Sequence, residues 1–312
     1  MAWLDLLRRR RRPSSRERPE AAALFDDDFQ RRLESLALVS RRVFAGRLRA
    51  ERRTRKKGSG VEFADHRDYV PGDDFRAVDW NVYQRFGRLL VRLHEEEEDL
   101  SIHLLLDRSE SMGFGGGKKL AQAKRLVAAL AYVGLAHLDR VGIVALDDRV
   151  ARQLPPTRGK GRIFRVFRFL AGIEAGGRTD LGEALRTFVA QHRRRGLAVL
   201  VSDLYDPAGF ERGINTLRYH GFEPYVLHVV DRADARPDVS GDVRVQDCET
   251  GDEREVTVTA PLLEKLGRAW VDYQAEIAHF CLAHRVPYLV ADADLPFDEI
   301  VLRVLRRGGF LR

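Results

Sequence analysis

From Ser101 onward, short apolar runs alternate with longer amphipathic segments. SIHLLLD, VGIVALDD, LAVLVSDLYD, EPYVLHVVD and VPYLVADAD read as strands. Between them, KKLAQAKRLVAALAYVGLAHL, GRIFRVFRFLAGI, LGEALRTFVAQHRR, FERGINTLRYHG and the stretch from Ala260 to His284 read as helices, with a last helix near Asp298 to Arg307. Strand then helix, repeated, predicts the α/β class, with a mostly parallel sheet covered by helices on both faces. The nearly all-apolar IHLLL and LAVLV fit strands buried on two sides. Between 239 and 259, VRVQDCETGDEREVTVT alternates around a Thr-Gly-Asp turn, which predicts a β-hairpin inserted before the penultimate helix.

Upstream of this region the pattern changes. Phe29, Leu33, Leu36, Val39 and Val43 recur at helical spacing behind the acidic group Asp26 to Asp28, predicting a helix over 27–46. Val61 to Leu100 alternates apolar and polar residues around PGDD at 71–74 and reads as extended strands and tight turns. Residues 1–26 carry no periodicity and are expected to be a disordered basic leader. The resulting division is leader 1–26, N-terminal helix and β-rich segment 27–100, and α/β domain 101–312.

Composition narrows the class. At 312 residues and 44% hydrophobic content the chain can bury a substantial core. No run reaches the roughly 18 apolar residues of a membrane span; the longest, Leu126 to Leu138, is broken by His137. MAWLDLLRRRRR places its apolar residues before its arginines, the reverse of a secretion signal. The two cysteines, Cys248 and Cys281, are too few for a disulfide framework and suit a reducing cytoplasm. The formal charge of +7 lies at one end, since residues 1–57 hold 18 basic against 8 acidic residues. That arm could touch anionic lipid at a membrane surface, or nucleic acid, by charge alone. Few aromatics interleave its arginines, so specific nucleic-acid recognition is not expected.

The chemistry gathers where strands end. In open α/β sheets ligands bind at the carboxyl ends of the strands. Asp107-Arg108-Ser109-Glu110-Ser111 puts a carboxylate and two hydroxyls on alternate residues of one loop, GGRTDLGEAL offers Thr179 and Asp180 ahead of a helix, and LAVLVSDLYD ends in Asp203. All are oxygen donors, which selects a hard cation, Mg²⁺ or Mn²⁺, over zinc. Taken alone, Thr179 and Asp180 are ordinary helix-capping chemistry. Taken together, D-x-S-x-S after an apolar strand, T-D before a later helix and S-D at a later strand end resemble the metal-ion-dependent adhesion site of von Willebrand factor A domains. The resemblance implies Ser109, Ser111 and Thr179 as direct ligands and Asp107 and Asp203 as supporting groups, with a partner's acidic side chain completing the shell.

A second pattern lies upstream, in R-x-Y-x-P-G-D-D-x-R-x-x-D-W, carried by Arg67, Tyr69, Pro71, Gly72, Asp73, Asp74, Arg76, Asp79 and Trp80. It is similar to the signature of the bacterial family called domain of unknown function 58, which joins such a segment to an A-type domain. PGDD is a turn, the arginines can pair with Asp73, Asp74 or Asp79, and Trp80 is expected to anchor a core; the functional alternative makes these residues a partner-facing surface. The resemblance implies a non-enzymatic binding module that works beside a MoxR-type AAA+ ATPase in a chaperone-like or assembly role.

Catalytic readings find less support. In GFGGGKKL a phosphate-binding loop fails, because Met112 stands where its first glycine belongs and Lys119 where Ser or Thr is required. A metal-dependent hydrolase or phosphatase with Asp107 as nucleophile is the alternative; haloacid-dehalogenase-type enzymes require a second Asp two residues on, where this chain has Ser109.

Overall fold

A computed structural model describes residues 24–37, 57–58, 62–95 and 101–306. These form two compact units, one of residues 24–37 with 101–306 and one of 57–58 with 62–95. The expected basic leader lies outside the described residues except for 24–26, as do residues 38–46 of the expected first helix.

The larger unit is an α/β sandwich. Its strands are β4 (Ser101–Asp107), β5 (Arg140–Leu146), β6 (Val150–Thr157), β7 (Leu197–Ser202), β8 (Glu223–Val230) and β11 (Tyr288–Asp292), in the order β11-β8-β7-β4-β5-β6. All pairings are parallel except that of β6 with β5. Strand β4 is central and buried along its whole length, which is why SIHLLLD lacks alternation. Strand β6 departs from the sequence reading. Its Pro155 and Pro156 disguise it as a loop, and an edge position tolerates their missing N–H groups.

Helices cover both faces. On one face α5 (Leu181–Gln191), α6 (Phe210–Tyr219) and α8 (Ala260–Ala283) contribute Leu185, Phe188, Ile214 and Ile277 to a cluster with Leu105, Leu200 and Val226 of the sheet. The others are α3 (Lys118–Ala136), α4 (Ile163–Ala171) and α9 (Phe297–Arg306), with α4 and α9 packed on α3. Residues 27–37 form α1, which belongs with this unit and not with the β-rich segment. Aromatic packing explains this: Phe25 stacks on Phe167 at 4.8 Å, and Phe29 meets Phe297 at 4.5 Å. A short helix, α7 (Arg232–Ala235), follows β8; β9 (Gly241–Gln246) and β10 (Glu253–Val258) then make an antiparallel hairpin paired with no other strand among the described residues.

The smaller unit has β1 (Lys57–Gly58), β2 (Glu62–Asp68) and β3 (Leu90–Glu95) in the order β1-β3-β2. Residues 80–86, expected to be extended, are a helix, α2 (Trp80–Phe86). Asp79 caps its first turn and Gly87, at φ 65°, ends it, so capping overrides the strand-like alternation.

One core residue makes stability depend on pH. His103 of β4 is buried, with Nε2 3.1 Å from the Arg194 carbonyl oxygen. Burial, reinforced by His192, pulls its pKa down to about 4. The unfolded chain therefore takes up a proton near pH 6.5 that the folded chain refuses until about 4, and stability falls as pH drops through that window. His103→Phe, set among the rings of Phe188, His192 and Phe222, removes this effect. Urea unfolding at pH 7 and 4.5 is expected to show the variant losing about 2 kcal/mol less than the wild type between the two; an equal loss contradicts the assignment.

Candidate metal centre

Because β4 and β7 are parallel neighbours, their carboxyl ends lie side by side, and so do the loops that follow. Asp107 ends β4. Its Oδ1 accepts a bond from the Ser109 backbone N–H at 2.8 Å, and its Oδ2 one from the Ser202 hydroxyl at 2.5 Å. The Ser109 and Ser111 hydroxyl oxygens stand 3.0 Å apart, and Ser111 donates to Asp203 Oδ1 at 3.3 Å. All five side chains are buried. Leu204, next to Asp203, is held at φ 60°, a strained conformation for a branched residue, with its N–H on Ser202 and its carbonyl accepting from Tyr273.

A buried lysine completes the cluster. Lys119 Nζ lies 2.8 Å from Asp203 Oδ2, 3.0 Å from Asp234 Oδ2 and 5.0 Å from the centre of the Tyr205 ring. Burial works against its charge, but the two carboxylates outweigh it and raise its pKa above the ordinary lysine value. Asp107 has no such partner. Burial, and then the Asp203 carboxylate, raise it well above the usual carboxylate range, which the bonds from Ser202 and Ser109 only partly offset. With all three carboxyl groups ionised and Lys119 charged, this buried cluster carries two formal negative charges, and burial favours a proton on Asp107 until a cation offsets them.

Thr179 enters from a third loop. That loop is stitched to the first by Gly176 N–H to the Arg108 carbonyl at 2.8 Å and Glu110 N–H to the Gly177 carbonyl at 3.0 Å. Gly177 adopts φ 93°, and a Cβ there would meet Asp147 at 2.9 Å, so only glycine allows the approach. The Thr179 hydroxyl and N–H both bond the Glu249 carboxylate, at 2.6 and 2.9 Å. Asp180 caps α5 through Glu183 N–H at 2.8 Å, and Asp206 accepts from Leu181 N–H at 2.9 Å. Asp180→Ala is therefore expected to cost about 1 kcal/mol in thermal unfolding, as the loss of a helix cap, and to leave divalent-cation affinity unchanged in titration.

The structure thus joins Asp107, Ser109, Ser111 and Asp203 by hydrogen bonds and engages Thr179 with Glu249. Sequence reasoning missed Lys119, Asp234 and Glu249 as members of this neighbourhood, and gave Ser202, the serine of the S-D pair, no role of its own. Lys119 had a signal: with Gln122, Ala123, Leu126 and Leu130 it lies on the buried stripe of α3 at helical spacing.

A family model described as "Protein of unknown function DUF58" matches residues 65–270. The chain belongs to the DUF58 family. The chain is also similar to uncharacterized proteins of Mycobacterium tuberculosis and Mycobacterium bovis, each 29% identical over 287 residues, covering 89% of this chain and 90% of theirs. Among solved structures, a conserved hypothetical protein, BatB, from Bacteroides thetaiotaomicron is similar at 17% identity and a TM-score of 0.41, covering 67% of this chain and 100% of that one. An aerotolerance-related membrane protein from Bacteroides fragilis is similar at 18% identity and a TM-score of 0.40, covering 67% and 98%.

The remaining positions singled out in this DUF58 chain lie in the smaller unit and build its turn. Arg67 grips Asp73 with two bonds of 2.6 Å, and that pairing, with Val70 N–H, holds the Asp73 carboxyl down at about 2. Asp79 accepts from Arg92 at 2.8 Å and lies 3.1 Å from His66 Nε2, which together hold it well below the usual range. Asp74 caps the turn that contains Arg76, Tyr69 stacks on Phe75 at 5.5 Å, and Gly72 takes φ 111° after Pro71. Trp80 is 52% exposed and does not anchor a core; among the described residues of this unit, Val78 and Val91 are the buried apolar ones. Trp80 is the first residue of a helix capped by Asp79.

Proposed function

We propose that this DUF58 chain is a divalent-cation-dependent protein-binding module of the von Willebrand factor A type. The observation that carries the reading is the convergence of two buried carboxylates, Asp107 and Asp203, with two hydroxyls, Ser109 and Ser111, at the ends of adjacent parallel strands. The donor set is oxygen throughout, and the formal double negative charge left around Lys119 matches a dication, so the residues fit Mg²⁺ or Mn²⁺. Ser109, Ser111 and Thr179 would hold the ion, with Asp107 and Asp203 supporting it. When bound, the ion supplies a Lewis-acidic point that a partner's Glu or Asp can occupy.

The chain's own groups favour binding over catalysis. Both Asp107 oxygens already accept hydrogen bonds from Ser109 and Ser202, which immobilises the carboxylate and blunts it as a nucleophile. Ser202, the strained Leu204 and the buried Lys119–Asp234 pair hold Asp203 in place. Among the described residues no helix is long and apolar enough to cross a membrane, and we take the cytoplasm as the place of action. The partner is a MoxR-type AAA+ ATPase, in an assembly or chaperone-like role. Surface plasmon resonance with such an ATPase from the same organism is expected to show binding in Mg²⁺ that disappears in EDTA and with Ser111→Ala. Binding indifferent to both would overturn the cation-dependent reading.

A further inference from the structure

The β9–β10 hairpin carries an acidic residue, Glu249, onto Thr179, which the cation-dependent reading makes a ligand. Its turn is tightly built: Asp247 Oδ1 accepts from the Glu249 and Thr250 N–H groups at 2.9 and 2.8 Å, and Gly251 turns at φ 78°. That turn presents Glu249, whose two carboxylate oxygens take the hydroxyl and the N–H of Thr179, while its carbonyl accepts from Arg178 at 3.3 Å. The ribbon behind it is weakly anchored. It pairs with no other described strand, and most of its residues are exposed apart from Val258. An isolated two-stranded ribbon is marginally stable by itself, so the bonds of its turn are a large part of what fixes its position.

We infer that Glu249 is the chain's own acidic ligand for the cation site, occupying the place an outside carboxylate would take and closing the site until the hairpin swings away. The inference rests on the cation-dependent reading above. A threonine hydroxyl donates one hydrogen bond and keeps two lone pairs, so Thr179 can donate to Glu249 while offering oxygen to a cation. The carboxylate also adds the negative charge that a hard dication favours. A partner must then displace Glu249, which makes its affinity for the site the difference between two carboxylates competing for one position.

The test uses the full chain and Glu249→Gln, matched by circular dichroism, with Mn²⁺ as the bound ion. Mn²⁺ affinity is read by titration, the waters on the bound ion by water-proton relaxation, and access of an outside carboxylate by Mn²⁺-induced relaxation of ¹³C-acetate. In Glu249→Gln, Mn²⁺ is expected to bind about tenfold more weakly, to carry more exchangeable water than in the wild type, and to relax acetate strongly. In the wild type acetate is expected to remain little relaxed. Glu249→Ala should behave like Glu249→Gln, which separates loss of the carboxylate from any effect of the amide. Equal acetate access in wild type and variants overturns the inference, and if Mn²⁺ still binds saturably the cation site itself stands. If no protein binds Mn²⁺ saturably, both fall.

Discussion

Lys119→Met is expected to destabilise the larger unit by about 3 to 5 kcal/mol, because it removes the cation that pairs two buried carboxylates. The side chain is 2% exposed and bonds both Asp203 and Asp234, themselves 0% and 6% exposed. Methionine fills nearly the same volume, so little of the loss would come from a cavity. What remains is the cost of two carboxylates left in a closed, poorly solvated space beside Asp107. For a unit of this size the change corresponds to a fall in Tm of roughly 10 °C, measured in EDTA by calorimetry. Added Mg²⁺ should recover part of the loss, since a dication can take over some of the neutralisation. A loss below about 1 kcal/mol would show that the lysine is not needed to hold these charges, and would remove the electrostatic argument for a cation-ready pocket.

Much of the fold was legible because strand and helix periods differ so clearly after Ser101. The all-apolar β4 and β7 announced a two-sided sheet, and once two parallel strands are neighbours their terminal loops must meet, so Asp107, Ser109, Ser111 and Asp203 could be read as one cluster. The misses have physical causes. Pro155 and Pro156 hid β6, and the Asp79 and Gly87 caps made a helix of residues that alternate like a strand. Helix α1 was grouped with its sequence neighbours, although its phenylalanines find partners in α4 and α9, far along the chain. Lys119 stood on the apolar stripe of α3 and could have been recognised as a buried charge needing acidic company. The Thr179–Glu249 contact had no such signal, because it spans 70 residues and depends on how a hairpin folds over a loop.

The second large effect is the loss of cation binding when the D-x-S-x-S loop is disarmed. Asp107→Ala, Ser109→Ala removes one buried carboxylate and one hydroxyl from a site with few donors, and a reduction of about 100-fold or more in affinity is expected. The charge argument points the same way: without Asp107 the pocket keeps Asp203 and Asp234 against Lys119, and one formal negative charge is a poor match for a dication. The decisive measurement is isothermal titration of metal-stripped wild type and of this double variant with Mg²⁺ and Mn²⁺, the two proteins matched by circular dichroism. Saturable one-site binding to the wild type that is lost in the variant is the predicted result. Failure of either cation to bind the wild type at millimolar concentration, or equal binding by the variant, would contradict it.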